Sequence, residues 1–505
     1  MTLVASGDDG INHLPPSLEF RLMSSSFPHA RLRTGLVALS LSVLAALGLP
    51  ASTATATPAP MTTVGSASLT SASLTSATTA LAKRDTAPNP VTPGDFTGYG
   101  FDQCLTPTQS TMNTWLRTSP YLAVGIYISG DSRACRDQPN LTSTWVRKQL
   151  RKGWRLLPIT LGPQASCQPR FPRYADDFTI NPSPGAKGIY GKARGMGQDS
   201  ADSTIADAQA LGIVAGSTLW YDLEGFDSAN TNCRESALSF LTAWNRKVSA
   251  AGYVTGVYSS AGSGIKVLDD ARVQRPSAYT LPERIWVARW DGQANTSTSY
   301  IREDGWRPGG RVKQYQGGHD EVWGGVRINI DTNFLDVGAG STAPREEHCG
   351  GVKVAARDYP ALRAREEGYK PAKRMVKALQ CLLSERNLYS GPYHGKYGPA
   401  TVAAINAWQT RMGFDPDPTW IRRDWMSLLS FGQKPVLKVG SAGYYVRRLQ
   451  RALNAVDLDA SLKVSGVYAT PTATVVKAYQ SLVDLPATGV MDAATWRRLM
   501  AGKRS

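Results

Sequence analysis

Histidine is scarce in this 505-residue chain, with five in all. His13 and His29 precede the cleavage point inferred below, His348 and His394 fall outside the largest domain, and His319 alone is left inside it. Ser/His/Asp and Cys/His catalysis therefore have little to draw on. A phosphate-cradling loop is missing too, because residues 188–197 (GIYGKARGMG) lack the Walker spacing and a preceding hydrophobic strand. That stretch is expected to be a long mobile loop. The six cysteines form neither a CxxC pair nor a Cys/His cluster with zinc spacing, so no metal and no cofactor is expected.

Long apolar runs are absent except at residues 35–50 (GLVALSLSVLAALGLP), preceded by Arg31 and Arg33 and followed by an Ala-x-Ala step at Ala54 to Ala56. This is the pattern of a secretory signal peptide over residues 1–56, and a start at Met23 would give its basic segment an ordinary length. The run is shorter than the ~20 apolar residues a spanning helix needs. The expectation is an exported protein, extracellular or bound to the cell wall, with no membrane span after cleavage.

All six cysteines follow the cleavage point, as a disulfide framework in an oxidising compartment requires. Sequence leaves the connectivity open; neighbour pairing within domains favours Cys104 with Cys135, Cys167 with Cys233, and Cys349 with Cys381. The formal net charge is +16, and the first 56 residues hold as many acids as bases, so cleavage leaves it unchanged. Export removes nucleic acid as the partner for that charge, and no basic run alternates with aromatics. An anionic cell envelope remains.

Residues 57–97 are rich in Ala, Ser, Thr and Pro and read as a disordered linker. From 98 to 338, eight short β-branched and aromatic runs alternate with stretches of helical period, the size and rhythm of a (β/α)₈ TIM-type barrel in an α/β chain. An open doubly wound sheet is the alternative. A second linker, 339–348, leads to two similar copies at 349–432 and 436–503, each expected to be a small all-α domain. ValLysAlaLeuGln (376–380) and AlaIleAsnAlaTrpGln (404–409) in the first copy match ValArgArgLeuGln (446–450) and ValValLysAlaTyrGln (475–480) in the second. Leu379 and Leu449, Tyr397 and Tyr468, and Trp408 and Tyr479 then take equivalent core positions.

Acidic residues end several barrel strands, on the face where such barrels perform chemistry. Asp102 closes the first, Asp222 and Glu224 close the fourth in TrpTyrAspLeuGlu, and Asp331 sits in the last. Strand side chains repeat every two residues, so Asp222 and Glu224 are expected on one side, an acid and a partner for glycoside hydrolysis. A single acid at a strand end more commonly caps a helix or pairs with arginine; four at three strand ends argue for a site. Tyr258, Trp290 and Tyr315 near strand ends are candidates to stack on sugar rings, whereas Tyr221 and Trp286 fit barrel packing as well.

GlyPheAspGlnCys (100–104), GlyIleTyrIle (125–128), TrpTyrAspLeuGlu (220–224), GlyValTyrSerSer (256–260), TrpValAlaArgTrpAsp (286–291), LysGlnTyr (313–315) and AsnIleAspThrAsnPhe (329–334) resemble the secreted bacterial glycoside-hydrolase-like domain. That domain is itself similar to the family 25 lysozymes, muramidases on a modified TIM barrel. The resemblance implies Glu224 in the general-acid place, Asp222 as its Asp-x-Glu partner, and Asp102 and Asp331 in supporting places. The two C-terminal copies resemble peptidoglycan-binding domains of the three-helix type, the second through GlyValMetAspAlaAlaThrTrpArgArgLeu (489–499) in particular. In the first copy AspProAspProThrTrp (415–420) departs from that closing pattern. These features point to a secreted cell-wall glycosidase with peptidoglycan or a related wall polysaccharide as partner; the alternative is a non-catalytic wall-binding protein with a glycosidase-like barrel.

Overall fold

The computed structural model describes residues 87–168 and 177–504; the expected signal peptide and most of the first linker lie outside them. Eight strands close a barrel in chain order: β1 (Phe96–Asp102), β2 (Ala123–Ser129), β3 (Arg155–Thr160), β4 (Thr218–Asp222), β5 (Val254–Ser260), β6 (Arg284–Ala288), β7 (Gly310–Trp323) and β8 (Val326–Val337). Helices α1 (Gln109–Thr118), α2 (Ser143–Arg151), α3 (Gly191–Ala210), α4 (Thr231–Ala250) and α5 (Lys266–Gln274) follow β1 to β5. Thr108, Thr142 and Asn230 start three of them by accepting a backbone N–H of the first turn.

Strand parity sorts the side chains. Phe96, Ala123, Leu157, Ile159, Trp220, Trp286, Val312, Leu335 and Val337 fill the barrel interior, while a larger shell that includes Phe101, Val124, Tyr221, Trp244 and Val257 packs between strands and helices. Trp220 and Trp286 meet edge to face at 5.5 Å, and the Trp220 ring occupies the space a side chain at Gly256 would take.

The last strands depart from a regular (β/α)₈ repeat. β8 runs antiparallel to both β7 and β1, and the β7–β8 hairpin turns through Gly324 and Gly325, both at positive φ. An antiparallel neighbour needs only a tight turn, so no helix is required there. Between β6 and β7, the loop 289–309 wraps the buried Arg311 guanidinium, which donates to the carbonyls of Thr296, Arg302, Glu303 and Gly305.

Two expected loose segments are ordered. Residues 191–197 form the first turns of α3, where Gly197 lets that helix approach the Phe240 carbonyl of α4; tertiary packing overrides weak helix propensity. The first linker is fixed before residue 97: the Thr92 hydroxyl donates to the Leu156 carbonyl (2.8 Å) and accepts from the Leu156 N–H (2.6 Å), while the Thr92 carbonyl accepts from the Thr218 N–H (2.8 Å). Those backbone groups pair with strand starts instead of water.

Beyond the barrel, α6 (Lys373–Ser384), α7 (Pro399–Met412) and α8 (Arg422–Ser430) repeat as α9 (Tyr444–Val456), α10 (Thr470–Leu482) and α11 (Ala493–Met500). One apolar core runs through both copies and includes the expected Leu379, Tyr397, Trp408, Leu449, Tyr468 and Tyr479.

Candidate active site

Three disulfides join Cys104 to Cys135, Cys167 to Cys233, and Cys349 to Cys381, with Cα separations of 5.7, 5.9 and 5.9 Å. The first two bonds staple segments that follow β1, β2, β3 and β4, so they brace the carboxyl-end rim of the barrel. The third takes up both sulfurs of a Cys349, Cys381 and Glu385 cluster, which leaves no thiolate there for a metal.

Above the apolar interior, the next inward-facing layer is polar. Asp102 and Asp331 are direct cross-strand neighbours in the β1–β8 register, and Gln314 faces Asn333 in the β7–β8 register. Trp286 Nε1 donates to Asn333 Oδ1 at 2.8 Å, which turns the Asn333 amide so that Nδ2 donates to Asp102 Oδ2 at 2.6 Å. Gln314 is oriented the same way. Its Oε1 accepts from Tyr258 OH (3.0 Å) and Trp290 Nε1 (2.9 Å), so Nε2 donates to Asp102 (3.3 Å) and to Asp331 Oδ2 (3.1 Å).

Burial raises the Asp102 carboxyl above the usual range, against the hydrogen bonds from Asn333 and Gln314. Burial, followed by the negative charges of Asp102 and Glu224, pushes Asp331 up further, to about 8. The pair therefore keeps a proton at a pH where an ordinary carboxyl has lost it.

β4 ends at Asp222, so Glu224 stands past the strand on the rim, half-buried, while Asp222 is buried. Tyr127 OH donates to Asp222 Oδ2 at 3.5 Å. Gln164 clips the Asp-x-Glu turn by accepting from the Glu224 N–H and donating to the Asp222 carbonyl, both at 2.8 Å. Two adjoining cavities share Glu224. One, of about 220 Å³, is lined by Asp102, Tyr127, Arg133, Glu224 and Asp331 among others; the other, of about 270 Å³, by Tyr258, Arg289, Trp290 and Tyr300.

Asp102, Glu224 and Asp331 thus meet at one cavity, and Asp222, buried, is linked to it through Tyr127. Trp290, 59% exposed, and Tyr258 stand in the second. Tyr315 is not brought there: it neighbours the inward Gln314, so parity turns it outward. Tyr221 also faces outward, packing on Phe240 and Trp244. His319 pairs with Glu321 on the hairpin. Sequence reasoning missed Gln314, Asn333, Tyr127, Gln164 and Arg133. Gln314 and Asn333 did leave a signal, as polar residues at the inward parity of otherwise apolar strands.

Barrel, carboxyl cluster and paired helical repeats together define a glycoside-hydrolase-like protein with appended cell-wall-binding modules. Residues 113–335 match the Rv2525c-like, glycoside hydrolase-like domain, and residues 373–417 and 443–499 match the putative peptidoglycan binding domain. The chain thus carries an Rv2525c-like, glycoside-hydrolase-like domain followed by peptidoglycan-binding domains. It is similar, at 36% identity over 102 residues, 19% of this chain and 77% of the relative, to an uncharacterized protein in the bpoA1 3' region from Kitasatospora aureofaciens. Among solved structures it is similar to an uncharacterized protein of B. stearothermophilus (17% identity, 47% of this chain and 95% of that one, TM-score 0.29). It is also similar to the Tat-secreted protein Rv2525c of Mycobacterium tuberculosis in complex with L-tartrate (13%, 47% and 95%, 0.31). A third is the modular autolysin LytC of Streptococcus pneumoniae (13%, 47% and 46%, 0.29). Among the described residues no helix is long and apolar enough to cross a membrane.

Proposed function

We propose that the barrel hydrolyses the glycan of peptidoglycan, or of a related wall polysaccharide, outside the cell, and that the C-terminal modules hold it on that insoluble polymer. The observation that carries this reading is the placement of Glu224, which forms the shared wall of two cavities and borders Asp102 and Asp331 in one of them. A sugar chain threaded through both would present a glycosidic oxygen beside Glu224. Glu224 delivers the proton to that oxygen, drawing on the proton that the carboxyl cluster retains. Asp102 and Asp331 offset positive charge developing on the ring, and Asp222, held under Tyr127, positions the Asp-x-Glu turn. Tyr258 and Trp290 bind the chain in the second cavity.

The test is release of new reducing ends from purified sacculi. Glu224→Gln is expected to abolish release, by a factor on the order of 10³ or more, while melting temperature and pelleting with sacculi stay unchanged, since the amide keeps the shape and loses the proton. Wild-type turnover by this variant would remove Glu224 from the mechanism. Wild-type protein that binds sacculi and releases nothing would instead mark a wall-binding barrel.

A further inference from the structure

Among the described residues, one cation lines the acidic cavity. Arg133 lines it together with Asp102, Glu224 and Asp331. Its Nε donates to the Gly130 carbonyl at 2.7 Å and its Nη1 to the Tyr127 carbonyl at 3.4 Å. Nη2 has no hydrogen-bond partner among the described residues. The anions that act on Arg133, Asp207 and Asp131, do so at a distance, without an ion pair among the described residues. The guanidinium is half-buried, and burial works against its charge.

The segment that carries it is held at both ends. Cys135 is bonded to Cys104 after β1, and the N–H of Ser132 donates to the Leu161 carbonyl at 3.0 Å. Gly130 adopts φ 97°, and a side chain there would press into that same carbonyl. A cation fixed this firmly, partly desolvated and without an ion pair among the described residues, is prepared for an anion that comes with the ligand. Three carboxyls around it would otherwise repel an acidic sugar, and a planar guanidinium matches a carboxylate in two-point geometry.

We propose that Arg133 is a specificity-determining residue that pairs with a carboxylate carried by the glycan, so that the cavity takes a sugar bearing a free acid. This rests on the reading of the barrel as a glycan site. Two sources supply that chemistry: the lactyl group of a muramic residue without its peptide, and a hexuronic acid in an accompanying wall polymer.

The experiment uses the full chain and three probes: peptide-free glycan strands, the same strands with carboxyls reduced to alcohols, and a hexuronic-acid oligosaccharide. Binding is followed by calorimetry and cleavage by reducing ends, for wild type, Arg133→Gln and Arg133→Lys. Wild type is expected to favour one carboxylated probe over the reduced strand by about tenfold or more, with Arg133→Gln bringing the two to the same affinity and Arg133→Lys keeping part of the preference. Whichever carboxylated probe shows the preference names the source. An unchanged preference in Arg133→Gln, no preference in wild type, or a phosphodiester polymer outcompeting both acids overturns the assignment. Should Arg133→Gln unfold, judged by melting, Arg133→Lys against wild type decides alone. Binding that depends on Arg133 and the carboxyl without any cleavage refutes the hydrolase and leaves this assignment standing. Cleavage indifferent to carboxyl reduction does the reverse.

Discussion

Asp331 lies across the β1–β8 pair from Asp102, and burial with the charges of Asp102 and Glu224 pushes its carboxyl up to about 8. In the unfolded chain the same group loses its proton near pH ~4. Between those limits the folded chain binds a proton that the unfolded chain has released, so this residue lowers stability progressively as pH rises from ~4 toward about 8. Asparagine has no proton to lose. Asp331→Asn is therefore expected to melt close to wild type at pH ~4 and to gain on it steadily at higher pH, by several kcal/mol near pH 8, while hydrolysis falls about a hundredfold. Thermal melts of both proteins across that range check it. A difference that stays flat would mean that the carboxyl ionises freely and stores no proton for the site. Asp102 and Asp331 were visible in sequence as strand-end acids, yet their raised affinity for protons was not, because it comes from burial and from carboxyls more than a hundred residues apart in the chain that meet only through barrel closure.

The helical repeats show how an element can be read from a short motif. Gln450, at the end of LeuGln, accepts the Gly466 N–H at 2.9 Å and donates to the Val467 carbonyl at 3.0 Å and to Thr472 at 3.2 Å. Gln380 does the same with Gly395, Lys396 and Thr401, each at 3.0 Å. The second glutamine of each copy repeats the device: Gln480 clips Gly489, Val490 and Thr495, and Gln409 clips Asp417, Thr419 and Asp424. So the first copy keeps the clamp although its closing segment departs from the pattern. Each buried amide satisfies backbone groups of the turn between two helices. Gln450→Ala is expected to lower the stability of the helical repeats by about 2 kcal/mol, through buried donors and acceptors left unmet, and Gln380→Ala by a similar amount. Denaturant titration followed by tryptophan fluorescence reads this, and a loss below about 0.5 kcal/mol would show that water replaces the amide. Repeats of this kind are legible because the same side chain solves the same local problem each time. The antiparallel course of β8 was not, since an alternating strand reads alike in either direction. The first turns of α3 were hidden by three glycines, of which Gly197 makes the close contact with α4, and the outward turn of Tyr315 followed from parity with Gln314.

At the scale of the whole chain, the barrel and the second helical copy are joined by more than a tether. Ser341, in the expected linker, donates from its hydroxyl to the Gly440 carbonyl at 2.9 Å. Glu346 pairs with Arg451 and His348, and the two glutamates Glu346 and Glu385 hold His348 charged by raising it to about 9. Phe96, at the start of β1, lies where a side chain on Gly440 would fall. The joint is thus at the strand-start end of the barrel, roughly 20 Å of β1 away from the carboxyl cluster at about 3.3 Å per residue. Truncation after Gly338 is expected to reduce pelleting with sacculi and also to lower the barrel's melting temperature by several degrees, because Phe96 and the end of α1 lose their cover. An unchanged melting temperature would reduce the joint to a passive contact.

Lys438 is the pin of that joint. It is 2% exposed, and its Nζ donates to the carbonyls of Ser119 (2.6 Å), Tyr121 (3.1 Å) and Trp115 (3.4 Å), where α1 ends. Cations suit a helix carboxyl end; the Trp115 carbonyl also accepts from the Ser119 N–H and hydroxyl, while Ser119 and Tyr121 lie past the last residue of α1. Against that, burial lowers the amine to about 7. The unfolded lysine holds its proton to pH ~10.4, so between about 7 and that limit unfolding takes up a proton, and stability contributed at this position rises with pH across the window. Lys438→Met keeps the stem in place and carries no proton. The wild-type gain in stability from pH ~7 to ~10 is therefore expected to shrink in the variant, with proteolysis between the barrel and the second repeat becoming faster at every pH as the end of α1 loses its donor. Equal slopes in the two proteins would show that the ammonium is never given up and that the three carbonyls outweigh its burial. Equal proteolysis rates would show that Phe96, Ser341 and the linker hold the joint without it.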